Sequence, residues 1–228
     1  KAGRYADALP LFQRALTQRE SEVGTDDPET AQILMNLVQL YWAQGQYAPA
    51  VPVVQRALTI REKALGLEHP DTADSLHNLG RLHHSLGQHA AALAAYQRAL
   101  VIREKALGPE HADTAATLNN LAALYWAQGQ HPQAQEHFQR ALAIREKTLG
   151  PEHRDTAQTQ SNLALLLYTQ GQYAEALALN QRALASREKV LGPEHQETAH
   201  SLNNVAMVYW AQGRYAEALP YYQRALAI

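Results

Sequence analysis

The stretch Tyr125–Gln135 reads YWAQGQHPQAQ, and versions of it return along the chain. They read YWAQGQYAPAV at 41–51, SLGQHAAAL at 85–93, YTQGQYAEAL at 168–177 and YWAQGRYAEAL at 209–219. The glycine in each belongs to the series Gly3, Gly45, Gly87, Gly129, Gly171 and Gly213, spaced by 42 residues. A second series, Gly24, Gly66, Gly108, Gly150 and Gly192, keeps the same spacing. A fixed period of this size with helical patterning describes stacked supersecondary units, each of which buries its apolar face only against its neighbours. Such a stack offers a long surface and no deep cleft.

Within one period, His111 to Gly150, apolar residues fall at helical spacing twice over. Leu118, Leu121, Ala122 and Tyr125 mark a first helix from about His111 to Gln128, and a tight turn follows at Gly129. Ala134, Phe138, Ala141, Leu142 and Ile144 mark a longer second helix from about Gln130 to Leu149. Gly150 then supplies a left-handed C-terminal cap. The connector leads to Asp27, His69, His111, His153 or His195 at the N-cap, with an acidic residue two positions on that suits the helix dipole. Aspartate is a good cap and histidine a poor one, so the acidic residue is expected to matter more. Pro28 and Pro70 take the first helical position, where no donor is lost. Pro10, Pro52 and Pro220 fall inside second helices and should bend them or leave a carbonyl unpaired.

Small residues mark helix crossings. Ala8, Ala50, Ala92, Ala134, Ala176 and Ala218 form one series; Ala15, Ala57, Ala99, Ala141, Ala183 and Ala225 form another. Val38, Gly80, Ala122, Ala164 and Ala206 form a third on the first helices. This pattern resembles the tetratricopeptide repeat (TPR). The long period, the REKALG extension of the second helix and the GPEHxDTA connector resemble its kinesin-light-chain type, which also occurs in bacterial multidomain signalling proteins. The resemblance implies an all-α, right-handed superhelical solenoid of antiparallel helix pairs, about eleven helices in all. The chain reads as a single array over 1–228, with an orphan helix at 3–23 and repeats at about 27–66, 69–108, 111–150, 153–192 and 195–228. It starts and stops inside repeats and reads as a piece of a larger protein.

In TPR proteins the first helices line a concave groove. Pointing away from the core at 100° per residue are Asn36, Asn78, Asn120, Asn162 and Asn204, and the large side chains Trp42, His84, Trp126, Tyr168 and Trp210. Between these rows lie Met35, His77, Asn119, Ser161 and Asn203; then Gln39, Arg81, Ala123, Leu165 and Met207; then Gln32, Asp74, Ala116, Gln158 and His200. By resemblance the asparagines match a ladder that holds an extended peptide's backbone, for which a carboxamide offers both donor and acceptor. They could equally bond a neighbouring repeat. The aromatic row either anchors a partner or fills space between adjacent first helices. Arg81 is the one cation among these positions, so the two-carboxylate clamp of chaperone-binding TPR domains is not expected.

Other chemistry is sparse. Net charge is −2 and there is no cysteine, which gives no nucleic-acid patch, disulfide framework or thiolate metal site. No apolar run reaches membrane-spanning length. Repeat geometry accounts for most of the 11 histidines. Asp74, His77 and His84 share a face, but seven residues separate the histidines by ~10 Å along the axis, too far for one ion. The REK triplets, such as Arg61-Glu62-Lys63, read as a solvated helix face with charge pairing. The expectation is a cytoplasmic, non-enzymatic interaction scaffold with no metal or cofactor. Its partner is a protein or peptide in the groove, not nucleic acid, membrane or a small-molecule substrate. Alternatives are the sensor arm of a signalling protein with an NTPase- or caspase-like effector, or a passive spacer or self-assembly module.

Overall fold

A computed structural model describes residues 2–228, with side chains from Leu9 onward; Gly3 and Ala8 lie outside the described side chains. Among the described residues there are eleven helices and no strand. A first compact unit, up to Pro109, holds α1 (Ala2–Val23), α2 (Pro28–Ala43), α3 (Tyr47–Leu65), α4 (Pro70–Ser85) and α5 (His89–Ala106). A second, from Glu110, holds α6 (Ala112–Ala127), α7 (His131–Thr148), α8 (Arg154–Thr169), α9 (Tyr173–Leu191), α10 (Gln196–Ala211) and α11 (Tyr215–Leu226). In each unit the helices pair across the glycine turns, α2 with α3, α4 with α5, α6 with α7, α8 with α9 and α10 with α11.

The two glycine series do different work. At the turn, Gly129 has φ 74°, its N–H donates to Trp126 O at 2.9 Å, and Gln130 N–H reaches back to Tyr125 O at 2.9 Å. That pair of bonds is a Schellman cap, so the left-handed cap assigned from sequence to the connector glycine belongs to the turn glycine. The connector glycines sit elsewhere: Gly66 has φ 97° and ψ 166°, Gly192 φ 93° and ψ 161°. Only glycine populates that region, and it launches the extended connector directly off the helix end. The connector is then closed by a threonine. The hydroxyls of Thr72, Thr156 and Thr198 each donate to the carbonyl of the glycine six residues earlier at 2.8 Å.

The histidine caps are better than their reputation. His69, His111, His153 and His195 each accept a backbone N–H on Nδ1 from the residue two positions on, at 3.1, 3.2, 3.1 and 3.1 Å. Asp27 does the same through Oδ1 at 2.9 Å. The expectation that histidine is a weak cap is corrected on this point, because a neutral imidazole with its proton on Nε2 presents an acceptor much as a carboxylate does. Pro10, Pro52 and Pro220 lie on exposed positions of α1, α3 and α11, and those helices run through them.

The alanine series are buried at the crossings, except that Ala15 is exposed and Ala225 half-buried. Facing positions trade volume between repeats. Gly80 meets Tyr96, Ala122 stands in the pair position with Phe138, and Val38 with Val54. A methyl on Gly80 would lie 2.7 Å from the Tyr96 ring, which is 1% exposed and boxed in. The fourth first helix breaks the pattern differently. Gln160 replaces the leucine found at 34, 76, 118 and 202, is 0% exposed, and its amide meets no hydrogen-bond partner among the described residues.

These two departures predict thermal shifts of opposite sign. Gly80→Ala should lower the melting midpoint, because overpacking against a fixed ring, ~1–3 kcal/mol, outweighs the ~1 kcal/mol helix gain of alanine. Gln160→Leu should raise it by the equivalent of ~1–3 kcal/mol, the cost of a buried polar group left unpaired. Circular-dichroism melts of both variants check this pair.

Candidate partner-binding face

The first helices present the rows read from the sequence, but not as free side chains. In the first unit, Gln32 Nε2 donates to Asn36 Oδ1 at 3.3 Å, and Gln39 Nε2 crosses from α2 to Asn78 Oδ1 on α4 at 3.1 Å. Arg81 Nη1 joins the same oxygen at 3.3 Å, and its guanidinium lies 4.0 Å over the Trp42 ring. In the second unit, Gln158 Nε2 donates to Asn162 Oδ1 at 2.9 Å, Asn162 Nδ2 to Asn119 Oδ1 at 3.2 Å, and Asn119 Nδ2 to Asn120 Oδ1 at 3.4 Å. Asn36 and Asn203 are exposed; Asn78, Asn120, Asn162 and Asn204 are half-buried. Asn119 is 8% exposed, so its row turns inward at that repeat, as it does at Met35, His77 and Ser161.

The large side chains pack on the residue that follows the turn. Trp42 meets Tyr47 with ring centres 4.9 Å apart, His84 meets His89 at 5.9 Å, Tyr168 meets Tyr173 at 5.6 Å and Trp210 meets Tyr215 at 4.7 Å. Trp42, His84, Trp126 and Tyr168 are half-buried, while Trp210 keeps 58% of its surface in solvent. The row is therefore neither fully buried nor uniformly free. Burial, and next the proximity of His89, hold the His84 imidazole below its ordinary pKa.

The sequence reading missed the strongest cations of this face. The arginines of the REK triplets are buried: Arg61 and Arg103 at 4% exposed, Arg187 at 5%, Arg145 at 7%. Each projects from the end of a second helix toward first helices. Arg61 Nη1 donates to Asp71 O at 2.8 Å and Ser75 Oγ at 3.1 Å on α4, and Nη2 to Gln32 Oε1 at 3.0 Å on α2. Arg103 pairs with the Asp74 carboxylate and lies 3.3 Å from His77 Nδ1. Arg187 Nη1 donates to Ser161 Oγ at 2.9 Å and to Ser201 Oγ, with the Glu197 carboxylate 3.6 Å from Nε. The solvated-face reading holds for the rest of the triplet. Lys63, Lys105, Lys147 and Lys189 pair with Asp26, Glu68, Glu110 and Glu152, and Glu62, Glu146 and Glu188 pair with Arg98, Arg182 and Arg224. A usable signal was present: Arg61 follows Ala57 by four residues and Ile60 by one, on the buried side of α3.

Between α8 and α10 these groups enclose a depression of about 330 Å³. Carboxamides of Gln158, Asn162, Asn203 and Asn204, the Ser161 hydroxyl, the Arg187 guanidinium and His200 ring it, with Leu165 as its apolar wall. Three of the expected groove asparagines thus meet at one place, with a buried cation beneath them. Asp74 is committed to Arg103, and the described residues hold no cluster with metal-ligand geometry. No described helix is long and apolar enough to cross a membrane.

Helix pairs whose first members all have 16 residues, stacked through small residues and joined by the same capped connector, define a helical-repeat protein. The tetratricopeptide-repeat model matches residues 1–63, 50–105, 73–147, 113–189 and 155–228, and the chain belongs to that family. A putative kinesin light chain from Podospora anserina with nearly identical TPR-like repeats is 31% identical, over 88% of this chain and 95% of that one, with a TM-score of 0.74. BtubC (BKLC) from P. vanneervenii aligns over 99% of this chain and 88% of its own at 21% identity and a TM-score of 0.79. The apo form of RapI aligns over 98% and 90% at 17% identity and a TM-score of 0.74. The first of these likenesses places the repeat in the kinesin-light-chain type. No curated protein sequence matches the chain.

Two measurements probe the site's electrostatics. Arg103→Met should cost about 2 kcal/mol or more in urea unfolding, since it strips a buried hydrogen-bonded cation from its partners. Lys105→Met, at an exposed pair, should cost under about 0.5 kcal/mol. In NMR titration, His84 should lose its proton below the ordinary imidazole value of about 6.5. The unfolded chain then takes up that proton first as pH falls, so stability declines from about pH 6.5 downward, and His84→Asn should flatten the decline.

Proposed function

We propose that the first-helix face binds an extended segment of a partner protein, and that the chain is an interaction scaffold. The depression between α8 and α10 carries this reading. Its rim presents paired donors and acceptors to any peptide unit irrespective of side chain. The rim bond from Gln158 to Asn162 runs side chain to side chain at an exposed position, so a ligand exchanges it at little net cost. Trp210, mostly exposed about two turns beyond Asn203 on α10, supplies an aromatic anchor. Absence of cysteine suits a reducing, cytoplasmic setting.

A displayed peptide library selected against the protein tests this. Selected peptides should lose about 2 kcal/mol or more of affinity on Trp210→Ala and again on Asn162→Ala with Asn204→Ala, by calorimetry. Melting of Trp210→Ala should move by no more than about 0.5 kcal/mol equivalent. Binding unchanged in all these variants would overturn the assignment.

A further inference from the structure

The repeats act as controls for one another at the buried arginines. Three of the four have an acceptor from one position of the first helix. Nη2 of Arg61 donates to Gln32 Oε1 at 3.0 Å, Nη2 of Arg187 to Gln158 Oε1 at 3.2 Å, and Nη2 of Arg103 to the Asp74 carboxylate. In the third repeat that position is Ala116, whose methyl accepts nothing. Arg145 directs Nη1 to Asp155 O at 2.9 Å and to Thr159 Oγ1 on α8. Its Nε is buried without a hydrogen bond, as is that of Arg187, and the difference lies at Nη2, from which nothing among the described residues accepts. Arg145 is nonetheless 7% exposed. Burial lowers its pKa, with the Asp155 charge opposing, yet a guanidinium keeps its proton in a protein, so the charge stays and stays under-solvated.

The unused edge has a definite chemistry. Nη2 is a charged donor, and a carboxylate is the acceptor that meets such a donor most strongly. In the next repeat the same edge of Arg187 has the Glu197 carboxylate 3.6 Å from Nε and Gln158 on Nη2. Gln32 and Gln158 are exposed and Asp74 half-buried, so the place their heads occupy is open to solvent. Ala116 leaves that place to a ligand.

We propose that Arg145, beside Ala116, is an anion subsite of the first-helix face and takes a carboxylate of the bound segment, from an acidic side chain or a C-terminus. The proposal rests on the peptide-binding reading for the origin of the carboxylate, and on Arg145 alone for the site.

The test uses both arms on the full chain. In ¹H–¹⁵N spectra of arginine Nε–H groups, sodium acetate titrated against sodium chloride at constant ionic strength should shift Arg145 saturably and leave Arg187 in place. Ala116→Gln, which copies the neighbouring repeats, should remove that shift while the melting midpoint holds or rises. For peptides selected as above, replacing the acid by its amide should weaken binding about ten-fold, and have no effect in Ala116→Gln. Glu→Gln or Asp→Asn against C-terminal amidation identifies which carboxylate is bound. An Arg145 signal no more responsive than that of Arg61 overturns the subsite, as do peptides indifferent to both acid removal and Ala116→Gln, with the groove reading then left standing. An acetate response with no selectable peptide supports the anion site and overturns the peptide reading instead.

Discussion

A guanidinium removed from water must be met by acceptors in fixed directions, and that requirement organises each repeat of this protein. Apolar seams between helices tolerate sliding by a fraction of a turn; a buried arginine does not. Arg61 ends the second helix of one repeat and binds a carbonyl and a hydroxyl in the first two turns of the next first helix. Its other nitrogen holds the first helix of its own repeat. One side chain thus fixes three helices at once, and the small residues at the crossings let those helices come close enough for it to reach. The carbonyl it uses belongs to Asp71, whose own N–H is held by the His69 cap, so the tie and the cap share a residue.

The same arrangement orders the side chains of the first-helix face. Carboxamides there satisfy one another through bonds of 2.9–3.4 Å in the second unit, from the exposed Gln158 through the half-buried Asn162 to the buried Asn119. Such a network holds the side chains in place without sealing them off, and a peptide backbone can replace any one partner like for like. Arg81 is spent differently: stacked on Trp42 and bonded to Asn78, it serves to orient an aromatic ring and an amide.

The period, the helix pairing and the turn glycines were legible because each follows from backbone geometry that recurs at least five times, which leaves little room for coincidence. The candidate rows were legible as positions and illegible as environments. Asn119 and Asn203 share a row, yet one is buried and bonded and the other exposed, because the side chains around them differ between repeats. The arginines were misread because charge was taken as a mark of solvent exposure. Helical phase argued otherwise, since Arg61 stands on the Ala57 face while Lys63 points away from it. The histidine caps were undervalued for a related reason: cap preference summarises frequency, whereas the bond needs only a lone pair at the right place.

Departures from the repeat's own rule are where the individual character of this chain lies, and they fall into three physical kinds. Gly80 is compensated, its missing methyl filled by the Tyr96 ring. Gln160 is uncompensated but sealed at 0% exposure, so no ligand can reach its amide and it simply weakens the core. Ala116 differs from both. It deletes an acceptor from a half-buried position while the donor behind it, Arg145, stays charged and buried. A deletion of that kind is neither repaired within the repeat nor hidden from outside it. The unmet hydrogen-bonding capacity therefore faces the surface that a partner would use, which makes the third repeat the place where this otherwise regular face acquires a preference for charge.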